Sequence, residues 1–130
     1  LGETEFHPNL NREDKQAFLK SLSVLSVPAQ FGEAFGFYVI EAMAAGVPVV
    51  QPRCASFPEL IEATGGGLVY DHQLPGSLAA ALEEMLHNPS ATKTLGLKAQ
   101  KVVREKFSSE NMAREVVSLL DKLIQVNPKT

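Results

Sequence analysis

The chain has 130 residues, is 45% hydrophobic and 21% charged, and carries a formal net charge of −3. Those values suit one soluble domain with a core of its own. They exclude a disordered chain and a nucleic-acid module, which would show a basic face. A single cysteine, Cys54, cannot staple the chain, so a reducing, cytoplasmic setting is expected, and no apolar run approaches the ~18 residues of a membrane span.

The chain opens abruptly on LGETEF, which reads as the end of a strand or its exit loop. It is therefore expected to begin inside a domain. Asn11 is placed to cap a helix whose first turn holds Glu13 and Asp14. The apolar run from Ser23 to Val27, ended by Pro28, predicts a strand. FGEAFG at 31–36 predicts a loop, followed by a helix from Phe37 to Ala45 that Gly46 ends in the left-handed conformation. Val47–Val50 predicts a second strand.

Ser56-Phe57-Pro58-Glu59 has the spacing of a capping box, with proline in the first turn. The helix it opens should end at Gly65-Gly66-Gly67, before a third strand at Leu68–Tyr70. From Pro75 onward the pattern is helical. Leu78, Leu82, Met85 and Leu86 mark one face, Asn88-Pro89 starts the next helix, and Ser108 or Ser109 the last. In that last helix Met112, Val116, Leu119, Leu120, Leu123 and Ile124 form a stripe. Strands alternating with helices imply an α/β domain, a Rossmann-like parallel sheet with helices on both faces. The three closing helices are expected to cover one face, and further strands to lie upstream.

Open parallel sheets bind ligands at the carboxyl ends of their strands. The loop from Pro28 to Gly36 is such a place, and it runs into a helix whose first N–H groups and dipole favour an anion. A phosphate or diphosphate site is expected at residues 35–38, with Gly36 letting the ligand close to the backbone. Glu33 lies in that loop and Glu41 about a turn inside the helix. Glu41 sits in an otherwise apolar stretch. It is either a buried acid that needs a partner, such as the vicinal hydroxyls of a sugar, or a residue on the solvent edge of the helix.

The run GEAFGFYVIEAMAAGVPVV resembles the signature of the family 4 (group 1) retaining glycosyltransferases: a Glu, seven residues and a second Glu, with Phe-Gly after the first and Glu-Ala-Met-Ala-x-Gly-x-Pro-Val-Val at the second. The likeness continues through PRCASFPEL, GGGLVYD and the terminal helices. It implies a GT-B fold, two Rossmann-like domains facing a cleft. Residues 1–130 would be part of the C-terminal, donor-nucleotide domain, with the N-terminal acceptor domain elsewhere. It implies sugar transfer from a nucleoside diphosphate sugar with retention, with no metal required, and an inactive fragment in isolation. By position, Glu33 would contact the donor sugar near the reacting centre. Phe35, Gly36 and Phe37 would cradle sugar and diphosphate by their backbone, and Glu41 would hold the ribose hydroxyls. Two departures stand out. Cys54-Ala55-Ser56 stands where many members carry one or two glycines, and the family's diphosphate-binding Arg and Lys would lie upstream of residue 1. Any membrane association would also belong to the missing half.

Other candidates carry less. His7, His72 and His87 show no metal-ligand spacing. Cys54 has no neighbouring His to activate it. Glu59 is explained by capping or by a place in the active site. A glycosidase reading of Glu33 and Glu41 leaves the phosphate cradle without a purpose. The rival readings are a sugar phosphorylase or epimerase on the same fold, and a non-catalytic nucleotide-sugar-binding module.

Overall fold

A computed structural model describes residues 2–29, 31 and 33–126. Gln30 and Gly32, both in the loop expected to bind phosphate, lie outside the described residues. Six helices and two strands follow in the order α1 (Arg12–Ser21), α2 (Phe37–Ala44), β1 (Val49–Pro52), α3 (Phe57–Thr64), β2 (Gly67–Tyr70), α4 (Ser77–His87), α5 (Pro89–Lys106) and α6 (Ser109–Val126). The strands pair in parallel, with Val49 opposite Gly67 and Pro52 opposite Tyr70.

All four residues of β1 are buried, as expected of a parallel strand covered on both faces. Its side chains alternate between two cores. Val49 joins Val39, Met43, Phe57, Ile61 and Ala99 on the face covered by α2, α3 and the second half of α5. Val50 joins Tyr70 and Met85 under α4. Helices thus lie on both faces. The expected covering of one face by the three closing helices does not hold: α4 takes one face, α5 reaches both, and α6 has no buried residue. Leu86 departs from the expected α4 face and is 57% exposed, because Met85, one helical step before it, takes the seat on the sheet.

The strand expected at Ser23–Val27 shrinks to one parallel bridge, Leu25 to Val49. Leu25 N–H donates to Pro48 O and its carbonyl accepts from Val50 N–H. Side chains then replace the ladder. Ser26 Oγ donates to Val50 O at 2.7 Å, and Val27 N–H donates to Gln51 Oε1 at 2.8 Å. Pro28, without an N–H, cannot resume it.

Two local caps form as their residues dictate: Asn11 Oδ1 accepts from Asp14 N–H and Asn88 Oδ1 from Ala91 N–H. The capping box does not. Ala55 takes the left-handed conformation (φ 49°) and delivers Ser56 already in helical dihedrals (φ −79°, ψ −8°), whereas a capping residue needs extended ones. The Ser56 hydroxyl is thereby released for another partner.

Candidate functional site

The carboxyl end of β1 and the exit of the Leu25 bridge open onto the start of α2. Val39, Ala42 and Met43 are buried, at i, i+3 and i+4, so they fix which side of α2 faces the core. Gly36 precedes the helix at φ 81°, ψ 53°. A Cβ there would stand 3.0 Å from the Phe57 ring. The left-handed backbone and this ring are reasons for glycine at the position in their own right, beside the close approach of a ligand that the sequence leads one to expect.

The first turn of α2 is open. Val39 N–H returns to Gly36 O at 2.9 Å, and among the described residues the N–H groups of Phe37 and Tyr38 have no acceptor. Helix N-termini of this kind attract anions. The Phe35 and Phe37 rings lie 4.9 Å apart, and Phe37 is 73% exposed. Ser56 Oγ donates to Phe35 O at 2.9 Å, and Cys54 Sγ lies 3.9 Å from Ala29 O. The Cys54-Ala55-Ser56 loop thus braces the segment before α2 from the side of α3. Sequence reading assigned Ser56 to the wrong partner, since its acceptor lies 21 residues away.

The two acids have different neighbours. Glu33, partly buried, lies near Tyr38. Burial raises the Tyr38 phenol above its ordinary pKa, and the Glu33 charge raises it further. Gln51, wholly buried at the end of β1, stands beside the same phenol. Glu41 is not buried. Its side chain is 44% exposed, and Oε1 accepts from Lys15 Nζ at 2.7 Å. The solvent-edge alternative for Glu41 is the one observed, because position 41 falls off the face set by 39, 42 and 43. Lys15 was not anticipated: it lies 26 residues away on another helix, and no local pattern announces the pair. A groove of about 580 Å³ between α1, α2 and α5 includes Arg12, Lys15, Lys20, Glu41 and Arg104 in its wall.

Of the remaining candidates, His72 lies just past β2, in a pocket wall with Pro28, Ala29 and Tyr70. His7 lies 3.1 Å from Glu5 and His87 Nδ1 2.7 Å from Glu83 O, each a local contact. Glu59 is exposed in the first turn of α3, where its charge suits the dipole. Among the described residues there is no group of three or more His, Cys, Asp or Glu side chains placed to hold a metal ion, and no helix long and apolar enough to cross a membrane.

Comparison with known proteins bears on this arrangement. A family model described as glycosyl transferases group 1 matches residues 1–102. The MMP alpha-(1->4)-mannosyltransferase of Mycolicibacterium hassiacum is 31% identical over 117 residues, 88% of this chain and 28% of that protein. The D-inositol 3-phosphate glycosyltransferase of Streptomyces griseus is 34% identical over 95 residues, 72% of this chain and 20% of that protein. The chain thus spans under a third of the length of either relative. Among solved structures, sucrose-phosphate synthase from Thermosynechococcus elongatus superposes with a TM-score of 0.82 at 27% identity, over 95% of this chain and 31% of that one. Anabaena HepE, solved in complex with UDP, gives 0.73 at 21% identity over 81% and 29% of the two chains, a likeness of fold.

Proposed function

The chain belongs to the glycosyl transferases group 1 family, and on that premise we propose that it is the donor-nucleotide part of an enzyme transferring a sugar from a nucleoside diphosphate sugar to an acceptor, with retention at the anomeric carbon. In this reading residues 1–130 form part of a C-terminal domain, and an N-terminal domain elsewhere in the protein receives the acceptor. The observation that carries it is the open first turn of α2, where among the described residues the Phe37 and Tyr38 N–H groups have no acceptor at the carboxyl end of a parallel sheet, with Glu33 in the loop before it.

Departure of a nucleoside diphosphate develops negative charge, and preorganised donors aimed at that charge lower the barrier. The free N–H groups and dipole of α2 would supply part of this stabilisation, and cationic side chains outside this chain the rest. Phe35 and Phe37 would line the cradle. Glu33 would accept hydrogen bonds from the donor sugar, and Glu41 from the ribose. No metal enters this scheme.

The test is calorimetric titration of the full-length protein with UDP, GDP and ADP, followed by turnover with the matching sugar donor and assignment of the product's anomeric configuration by NMR. Binding of one of the three and a retained configuration are expected. Glu41→Gln should weaken that nucleotide about tenfold, the loss of a hydrogen bond to a charged group. Unchanged affinity removes the ribose role, and an inverted product removes retention.

A further inference from the structure

We propose that Lys15 is a positioning residue for the donor site: it holds Glu41 in the orientation that receives the ribose. The inference rests on the ribose reading of Glu41 and adds a residue that the reading does not contain. Lys15 Nζ and Glu41 Oε1 are 2.7 Å apart, on α1 and α2. Among the described residues this is the one ion pair that joins two helices; the other links neighbours Glu5 and His7.

Its geometry is one-sided. The ammonium engages Oε1, and among the described residues Oε2 has no partner. A carboxylate has lone pairs to spare on both oxygens, so a diol can still be accepted. The pair lies in the wall of the groove of about 580 Å³ between α1, α2 and α5. A free glutamate side chain would lose rotamer freedom on binding. One already held by a lysine loses less, which is how preorganisation raises affinity. Fastening α1 to α2 is a weak rival, because an ion pair this exposed contributes little to stability.

The expectation separates this role from a structural one. The full-length protein is titrated with whichever of UDP, GDP and ADP binds, and with its 2′,3′-dideoxy counterpart. The ratio of the two affinities reports the ribose contact alone. Glu41→Gln should collapse the ratio. Lys15→Met should lower it by about three- to fivefold, through weaker ribonucleotide binding with the dideoxy form unchanged. Lys15→Arg should restore it, since a guanidinium can hold the same oxygen. If Glu41→Gln collapses the ratio and Lys15→Met leaves it alone, the positioning role is wrong and the ribose reading stands. Equal weakening of both nucleotides by Lys15→Met makes the pair a structural tie. Tighter ribonucleotide binding makes Lys15 a competitor for Glu41. If Glu41→Gln leaves the ratio unchanged, or none of the three nucleotides binds, the ribose reading fails and the proposal with it.

Discussion

The two ends of α2 begin from nearly the same backbone geometry and are finished in opposite ways. Gly36 before it and Gly46 after it share a left-handed φ, 81° and 83°. At the far end every neighbouring group closes in. Val47 N–H donates to Ala42 O and Gly46 N–H to Met43 O, the paired bonds of a Schellman motif. Gln100 Nε2 reaches from α5 to Ala44 O at 2.9 Å. At the near end, among the described residues, the first N–H groups have no acceptor, an aromatic ring stands in solvent, and the bracing comes from outside the helix, from a serine hydroxyl on the carbonyl of Phe35. A helix end whose backbone groups are all satisfied belongs to the scaffold. One left unsatisfied at a sheet's carboxyl edge is where chemistry can be placed.

This contrast can be broken most severely at the closed end. A Cβ at Gly96 would lie 2.0 Å from Gly46 O, so Gly96→Ala has to push α5 away from α2. It should cost about 3 kcal/mol and lower the thermal midpoint by ~10 °C in calorimetry. An unshifted midpoint would mean that the two helices are not held at this contact. Gly36→Ala tests the open end, where a left-handed alanine costs about 1–2 kcal/mol and the Phe57 ring has to yield. Its midpoint should fall by less than that of Gly96→Ala, while nucleotide affinity falls by more. The reverse ranking would place the functional end elsewhere.

Ser56→Ala removes the brace for about 1 kcal/mol, and titration should detect a weaker nucleotide before melting detects a weaker fold. The smallest effect sharpens the neighbourhood of Glu33. The negative charge of Glu33 raises the Tyr38 phenol after burial has done so. Glu33→Gln should therefore bring that pKa down towards its ordinary value in a spectrophotometric titration, and an unchanged value would place Glu33 away from Tyr38.

What the sequence disclosed and what it withheld divide by range. The helix caps of Asn11 and Asn88 and the glycine stop at Gly46 need only residues within a turn, and they form as read. The open start of α2 was legible for the same reason, since an apolar helix after Phe-Gly leaves its first N–H groups free. Three contacts escaped: Ser56 to Phe35, Val27 to Gln51, and Lys15 to Glu41, separated by 21, 24 and 26 residues. In the first case a good local rule named a partner and tertiary structure supplied another. Ser23–Val27 has the composition of a strand, but pairing depends on neighbours that composition does not specify. In α6, amphipathicity announced an apolar face at Met112, Val116, Leu119, Leu120, Leu123 and Ile124, and all six are at least half exposed. A stripe indicates that a side is apolar, not what lies against it.

The lock at the far end of α2 also has a consequence for biosynthesis. Gln100 follows Ala44 by 56 residues, which at ribosomal speed is on the order of 3–11 s. The serine brace at the near end spans 21 residues, and its shorter loop closes at a smaller entropic cost. On a nascent chain the cradle is therefore gathered first. The far end of the helix gains its last bond only when α5 emerges, since Gln100 comes with Ala99 and Val103, which complete the core that Met43 and Val47 join.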